Sequence, residues 1–445
     1  MGTFSGIRLN LDSELEDREE AAVHIQEAVR LLLGLLGEDP DREGLMKTPL
    51  RVAKAFLHGT RGYRQNVVDI VQGAFFPEAG VGEGIGEAGG AGGLVVVRDL
   101  DLFSLCDSCL LPFHVKCHVG YIPSGQRVLG LSKLSRVAEV FAKRLQSPQR
   151  LAEEIASALQ NTIDPTGVAV SLLCSHRNVE PIFVDYNSRG WAEVFVNAGS
   201  GVFEDKSSDA WNDFVSLLTL GGSNVNAPDM GSLGACECWF PMGSANSACV
   251  EEFDPRMTAA ATSLLQSLGD DSMRKELAGT PARYLKWLTN FQNTNLPINL
   301  CNFDLRLVDP LEPKRIENGP GGQIHSELNL PFCALCEHHL LPFHGTVHIA
   351  CIHAQGRNPP GRPLLQSVVD FYGFKLQVQE RLTRQVAETV SPLLGGDIMV
   401  VVEASHCCMI SRGIEKIGSS TATVAVLGRF SSDAALREKF LQCVG

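Results

Sequence analysis

The sequence predicts an α+β protein built from two related modules. Three observations lead to this prediction: helical spacing of apolar residues near the start, a run typical of a buried β-strand near the end, and an internal repeat. The 445 residues are enough for two or three domains. Because 44% of the residues are hydrophobic and 20% are charged, the composition is that of a folded globular protein and excludes disorder throughout.

The first predicted element is a core-facing helix. Ser13 followed by Glu16 matches a capping box, so we expect the helix to begin there, and Gly37 and Pro40 should end it. Its apolar residues share one helical face: Ile25, Val29, Leu32, Leu33 and Leu36.

Each module is expected to continue with a hairpin, a long helix and a closing pair of strands. Residues 345–353 have the pattern of a strand, residues 367–390 that of a helix, and Ile398–Glu403 that of a buried strand. A sheet exposed on one face in each module would favour oligomerisation.

The repeat is visible as sequence blocks that recur in the same order. Leu36–Asp39 recurs as Leu268–Asp271, and Cys106–His114 recurs as Cys336–His344. Five such blocks in one order indicate that the two halves share a fold. The other three pairs are Thr48–Arg51 with Thr280–Arg283, Arg144–Gln146 with Lys375–Gln377, and Ser175–His176 with Ser405–His406.

The repeat divides the chain into an N-terminal module (1–204), a connector (205–250) and a C-terminal module (251–445). Residues 78–93 contain eight glycines, which predicts a surface insertion. In the connector, Trp211, Phe214 and Trp239 indicate that parts of it pack.

A candidate metal site lies in the C-terminal half. Cys336 and His339 have the C-x2-H spacing, and His406 and Cys408 follow a predicted strand about seventy residues later. These ligand types suit zinc, and three protein ligands would leave a fourth position open for water, as in catalytic sites. A lone C-x2-H pair is commonly incidental, but His338 beside it adds an imidazole suited to proton transfer.

The matching N-terminal positions differ. Ser108 and Cys109 replace the two adjacent histidines, and Asn178 replaces Cys408, so we expect no catalytic zinc there and one zinc per chain. Cys106 and Cys109 could form half of a structural zinc site, but no second pair lies nearby, which favours buried free thiols. On this interpretation His176 is a structural histidine.

The chain resembles the GTP cyclohydrolase I family in both halves, outside the glycine-rich insertion and the connector. The tandem arrangement resembles the bimodular plant form. This implies two tunnelling-fold (T-fold) modules, each an antiparallel sheet with helices packed on one side. The blocks that carry the resemblance are LGEDPDREGLMKTPLRVAKAF (36–56), GLSKLSR (130–136), LCEHHLLPFHG (335–345), LQVQERL (376–382) and SHCCMISRGI (405–414).

The resemblance also implies roles for individual residues, beginning with Zn²⁺ as the cofactor and GTP as the substrate. Glu380 and its neighbour Gln379 match the residues that receive the guanine edge. Ser132, Lys133, Arg136 and Arg412 match residues that bind the triphosphate. The implied zinc ligands are Cys336, His339 and Cys408, and the implied catalytic histidines are His338 and His406.

Each half has lost residues that the other keeps. Pro148 and Gln149 replace Gln379 and Glu380 in the N-terminal half, and Ser367 replaces the phosphate-binding arginine in the C-terminal half. In this family the active site lies between neighbouring subunits. The resemblance therefore implies a homo-oligomer with composite sites between modules, in which the partner module belongs either to the same chain or to another.

The implied reaction is hydrolytic opening of the imidazole ring of GTP, loss of formate and closure to 7,8-dihydroneopterin triphosphate, the first step of folate biosynthesis. The alternative is a non-catalytic assembly protein that binds a pterin or a nucleotide. The intact zinc set, catalytic histidines and Glu380 favour the enzyme, because decay without function would not spare them all.

Charge and segment composition restrict the partners and the location. The net charge of −13 argues against a nucleic-acid-binding protein, and no apolar run approaches the ~18 residues of a membrane span. The acidic start lacks the apolar region of a secretory signal. Fourteen cysteines without such a signal favour reduced thiols and metal ligands, so we expect a cytoplasmic protein.

Overall fold

A computed structural model of the chain describes residues 4–77, 93–124, 127–177, 191–220, 253–269, 274–291, 314–316, 323–353, 361–414 and 418–444. The chain forms two compact units, each assembled from two stretches of sequence. The first unit contains Met1–Val29 and Ala53–Trp287, and the second contains Arg30–Val52 and Leu288–Gly445. The boundaries predicted from the repeat, at residues 204 and 251, stay predictions.

The chain contains both helices and mainly antiparallel sheets, in agreement with the α+β class. The α-helices are α1 (Phe4–Leu35), α2 (Thr48–Gly59), α3 (Val67–Val71), α4 (Leu131–Ala142), α5 (Pro148–Ile163), α6 (Asp209–Thr219), α7 (Pro255–Gln266), α8 (Thr280–Thr289), α9 (Arg362–Gly373), α10 (Gln379–Leu394), α11 (Cys407–Ile410), α12 (Arg429–Ser432) and α13 (Ala434–Val444). The strands are β1 (Phe75–Pro77), β2 (Val95–Cys106), β3 (Pro112–Ile122), β4 (Arg127–Leu129), β5 (Leu145–Gln146), β6 (Gly167–Arg177), β7 (Trp191–Gly201), β8 (Lys314–Ile316), β9 (Gln323–Cys336), β10 (Pro342–His353), β11 (Leu376–Gln377), β12 (Ile398–His406) and β13 (Thr421–Leu427). Among the helices that the structure describes, none is long and apolar enough to cross a membrane.

The first unit contains a five-stranded sheet in the order β5-β2-β3-β6-β7, besides the short pair β1-β4. Its strands are antiparallel, except that β5 runs parallel to β2. Helix α5 packs against β6 and β7, and α4 packs against β2. Helix α6 buries Trp211 and Phe214 against Ile122 and Ala169, so this part of the connector packs as expected. Trp239 and residues 78–92 lie outside the described part of the chain.

The second unit repeats the same sheet in the order β11-β9-β10-β12-β13, with β8 added beside β9. One face packs against α9 and α10 through side chains such as Val368 and Val386. This agrees with the expectation that helices pack on one side of the sheet. The opposite face is also covered in this unit, since Phe430 and Phe440 of α12 and α13 pack against Val401.

Two predicted helix boundaries were wrong. Helix α1 already begins at Phe4, so Ser13 lies inside the helix and does not cap it; leucines around Ser13 have high helix propensity. Its end agrees with the prediction, because Leu35 is the last helical residue and Gly37 adopts φ +86°.

The predicted helix at 367–390 is two helices, α9 and α10, separated by strand β11. The chain leaves the helix at Gly373, and Leu376 pairs in parallel with Leu335 of β9. Sheet pairing at this edge therefore prevails over the helical periodicity. The strands predicted at 345–353 and 398–403 are confirmed as parts of β10 and β12.

Both sheets carry the same irregularity in their first long hairpin. A β-bulge lies at Asp99 in β2 and at Asn329 in β9, and both residues have positive φ. The backbone N–H of Asp99 donates to Nδ1 of His118, and that of Asn329 donates to Nδ1 of His348, each at 3.2 Å. These buried histidines satisfy the N–H groups that the bulges release from strand pairing.

Candidate metal centre

A tight turn between β9 and β10 presents the first two candidate ligands, Cys336 and His339. The N–H of Cys336 donates to the carbonyl of Leu341, and the N–H of Leu340 donates to the carbonyl of Cys336, each at 2.9 Å. Leu340 adopts φ +51°, a conformation that costs a residue with a Cβ roughly 1–2 kcal/mol. The turn is therefore held by its hydrogen bonds and by the buried leucine side chain.

The third candidate ligand, Cys408, lies in the short helix α11 directly after β12. Because β12 pairs with β10, the chain returns to the turn, and the ligand atoms of Cys336, His339 and Cys408 all lie within 4.8 Å of one another. The two sulfur atoms are 4.0 Å apart, and Nδ1 of His339 is 3.9 Å from Sγ of Cys336.

The donor set fits zinc. Two thiols and an imidazole are the ligand types that zinc prefers, and three of them leave one tetrahedral position open. The Cys408 thiol donates to the Cys336 sulfur; this hydrogen bond lowers the pKa of Cys336 and raises that of Cys408, although burial raises both. A sulfur poised to lose its proton is suited to bind a cation.

His406 is fixed at the end of β12 by two contacts. Its ring stacks on Phe343 with centroids 4.7 Å apart and an interplanar angle of 3°. Its Nε2 lies 2.8 Å from the amide oxygen of Gln379, whose amide nitrogen donates to the carbonyls of Val402 and Thr421. Since that nitrogen is the donor, the amide oxygen must accept, and the neutral imidazole carries its proton on Nε2. Nδ1 of His406 is then the basic nitrogen.

The other predicted catalytic residue, His338, lies half-buried in the same turn as His339. The two rings are perpendicular, with centroids 6.3 Å apart. His338 therefore lies next to the ligand set without belonging to it.

Sequence reasoning missed Glu337, which is buried in the middle of the turn between β9 and β10, called the ligand turn below. Its carboxylate accepts hydrogen bonds from Arg42, at 2.9 Å, and from Arg381. Burial alone would raise the pKa of Glu337, but the two guanidinium groups hold it below its ordinary value. Thr48 donates to the Glu337 carbonyl at 2.6 Å. In the sequence, an acidic residue between two zinc-type ligands, Cys336 and His339, was the signal that could have indicated a role for Glu337.

The predicted guanine-binding residue Glu380 lies exposed in the first turn of α10. This turn follows β11, where the Gln377 carbonyl accepts the N–H of Glu337 at 3.1 Å, so Glu380 is three residues from a direct contact with the turn between β9 and β10. Arg412 follows Cys408 by one helical turn, and its Nε donates to the Cys408 carbonyl at 2.5 Å. Both residues belong to the second unit, as the zinc set does.

The other predicted phosphate-binding residues lie at the start of α4 in the first unit. Ser132 and Arg136 are exposed, and Gly130 caps the helix without a side chain. Lys133 is half-buried and donates from Nζ to the carbonyl of Ile70 at 2.7 Å. Exposed N–H groups and cations at a helix start are suited to bind an anion.

The first unit contains a second cluster of ligand-type side chains. Cys106, Cys109 and His176 are fully buried, and their ligand atoms lie within 4.8 Å of one another. Sγ of Cys109 is 3.3 Å from Nε2 of His176. Sequence analysis anticipated the two cysteines but not the histidine that joins them. Sequence spacing alone does not link residue 109 to residue 176; the pairing of β3 with β6 brings them together.

Comparisons with known proteins agree with this architecture. The sequence model of the GTP cyclohydrolase I family matches residues 25–215 and again residues 257–445. A protein named GTP cyclohydrolase 1 from Solanum lycopersicum is 60% identical over 427 residues, covering 94% of this chain and 91% of the relative. One of the same name from Arabidopsis thaliana is 56% identical over 432 residues, covering 96% and 91%.

A shorter relative aligns with a single part of the chain. GTP cyclohydrolase 1 from Porphyromonas gingivalis is 45% identical over 203 residues, which are 96% of that protein but 45% of this chain. The repeat, the two sheets of equal topology and both family matches have one explanation. The chain belongs to the GTP cyclohydrolase I family and contains two copies of its domain in tandem.

Proposed function

We propose that the chain is a zinc-dependent GTP cyclohydrolase I. It opens the imidazole ring of the guanine base by hydrolysis, releases formate and closes the product to 7,8-dihydroneopterin triphosphate, the first step of folate biosynthesis. The observation that carries the proposal is the convergence of Cys336, His339 and Cys408 beside a histidine, His406, held in one tautomer. The names of relatives that span nearly the whole chain support the same activity.

Cys336, His339 and Cys408 would hold the zinc ion. A zinc ion held there would supply Lewis-acid chemistry, which lowers the pKa of water toward 7 and so favours hydrolysis near neutral pH. His339 is half-buried, so the ligand set is accessible from solvent on its side.

His406 and His338 would move the protons. Nδ1 of His406 can accept a proton because Nε2 already donates to Gln379. Gln379 uses its whole amide on His406 and two carbonyl oxygens, so we assign it the positioning of His406 rather than a contact with guanine. His338, adjacent to the ligand His339, is suited to deliver a proton as the ring opens.

Glu380 and four cationic or hydroxyl side chains would bind the substrate. The Glu380 carboxylate can accept from N1–H and the exocyclic amine of guanine, two adjacent donors. The triphosphate would be bound by Ser132, Lys133, Arg136 and Arg412. The three cations among them offset its negative charge locally despite the net charge of −13.

We propose that the protein acts as a homo-oligomer in which the N-terminal and C-terminal residue sets are both needed. The support is reciprocal loss. The N-terminal module keeps Lys133 but has no counterpart of Cys408, and the C-terminal module keeps Cys408 but has lost the phosphate-binding block. Mixing a Lys133→Ala chain with a Cys408→Ala chain should recover part of the activity if sites form between chains that exchange. Robust turnover by residues 251–445 alone would contradict the requirement for both sets.

The decisive experiment incubates the purified chain with GTP and measures formate together with oxidisable fluorescent pterin. Both products should appear, disappear when a zinc chelator is added, and return on addition of zinc. Binding of GTP without either product would overturn the enzymatic proposal and favour the alternative, a non-catalytic assembly protein. A Cys408→Ala chain is the matched inactive control, because it removes one zinc ligand.

A further inference from the structure

We propose that the first unit contains a second zinc site, structural in role, formed by Cys106, Cys109 and His176. This site lies outside the catalytic set and does not depend on the proposed function. It replaces the expectation of one zinc per chain with about two.

The geometry of the cluster is that of the second unit's ligand turn. The N–H of Cys106 donates to the Leu111 carbonyl and the N–H of Leu110 donates to the Cys106 carbonyl, each at 2.9 Å. Leu110 adopts φ +62°, as Leu340 does at the matching position. Cys106 and Cys109 therefore occupy the backbone positions that Cys336 and His339 occupy in the other turn. Both ligand positions in this turn carry a thiol.

The third ligand comes from a different position than in the second unit. The position that matches Cys408 is Asn178, so the thiol after the strand is lost. The position that matches Gln379 is Pro148, which has no side-chain amide to hold a histidine. His176 instead lies with Nε2 3.3 Å from Sγ of Cys109. The ring centroids of His176 and Phe113 are 6.2 Å apart, whereas those of His406 and Phe343 are 4.7 Å apart.

Burial and charge favour a metal ion at this place. Cys106, Cys109 and His176 are each 0% exposed. Two thiolates carry the charge that balances one Zn²⁺, so a Cys2His set can bind the ion in a buried environment without leaving net charge.

The same burial argues for a structural role. All three ligands of the cluster are buried, and Ser108 stands where the second unit has His338. A bound ion would connect the turn between β2 and β3 to the end of β6, two places 67 residues apart in sequence. Zinc should therefore raise the stability of the first unit rather than its reactivity.

The test counts zinc in the full chain, purified with a phosphine reductant, saturated with zinc and freed of unbound metal. The wild type should hold about two zinc ions per chain, and a Cys336→Ala/Cys408→Ala chain about one. Adding Cys109→Ala to that chain should remove the remaining ion. Adding Cys117→Ala, at a buried cysteine of the same sheet outside the cluster, should leave it in place.

Cobalt replaces zinc as a spectroscopic probe in the Cys336→Ala/Cys408→Ala chain. We expect a thiolate-to-cobalt charge-transfer band that Cys109→Ala abolishes and Cys117→Ala preserves. The proposal is overturned if the Cys336→Ala/Cys408→Ala chain, folded by circular dichroism, binds no zinc or cobalt. It is also overturned if mass spectrometry finds a disulfide between Cys106 and Cys109 in the reduced preparation.

Discussion

The side-chain amide of Gln379 holds His406 by a hydrogen bond of 2.8 Å while it donates to the carbonyls of Val402 and Thr421 at 3.0 and 2.8 Å. The amide cannot rotate without losing both donor contacts, so its oxygen is a fixed acceptor. The orientation and the tautomer of the imidazole follow from this buried group, which does not itself need to touch a substrate.

Gln379→Leu should lower kcat of the proposed reaction by about 10²-fold, because general acid–base catalysis by a positioned histidine contributes that much or more. KM for GTP and zinc content should stay close to wild type. Steady-state kinetics and metal analysis check this. The control is Gln149→Ala, an exposed glutamine that contacts Glu153 on α5. A large rise in KM with unchanged kcat would indicate that Gln379 contacts the base directly.

His338→Ala should keep zinc and lose turnover, since His338 lies beside the ligand set but outside it. The expected loss of kcat is at least about 10²-fold. Parallel measurement of His339→Ala, which removes a proposed ligand, should show loss of both zinc and activity. Loss of the metal from the His338→Ala chain would assign that imidazole to ligation instead.

Glu337→Gln should lower the free energy of unfolding by about 2 kcal/mol, because it leaves Arg42 and Arg381 facing an uncharged buried partner. The matched control is Glu388→Gln, whose exposed carboxylate lies 3.8 Å from Arg384 and should contribute less than about 0.5 kcal/mol. Urea unfolding of both variants measures the difference. Equal stabilities would show that the buried ion pairs contribute nothing net.

Stability should decrease when the pH falls below about 6.5, the ordinary pKa of histidine. Burial lowers the pKa of His118, against the opposing charge of Asp99 and assisted by Lys116 and Arg98. Burial also lowers the pKa of His348, which faces Glu403. Both histidines bind fewer protons when folded, so their contribution is full above pH 6.5 and is lost as the pH falls toward the lowered values.

His118→Gln removes one of these titrating groups and should reduce the loss of unfolding free energy between pH 8 and pH 5.5. The exposed His24→Gln should retain the wild-type loss. Urea unfolding at the two pH values gives the comparison. An unchanged loss in His118→Gln would exclude this histidine as a source of the acid sensitivity.

The sequence predicted the repeat, the α+β class and the central strands because these depend on local pattern and on long matching blocks. The break between α9 and α10 was not predictable from periodicity, since it depends on pairing of Leu376 with a strand that begins more than fifty residues earlier. The start of α1 was missed because a capping box can also occur inside a helix.

The candidate ligands Cys336, His339 and Cys408 were predictable because their chemistry is visible in residue type and spacing. The contacts of Glu337 with Arg42 and of Gln379 with His406 were not, since each joins segments far apart in sequence. His176 was missed for the same reason, as its approach to Cys109 depends on how β6 pairs with β3.

Leu110 and Leu340 both keep a left-handed backbone in turns whose side chains have diverged. The main-chain scaffold of the turn that carries the candidate ligands Cys336 and His339 is thus present twice, although the side chains of the two copies differ. Within this turn, exchange of side chains alone, Ser108→His and Cys109→His, would give the residue types of the other copy. The turn backbone would not need redesign, which makes it a host for a transplanted ligand pair.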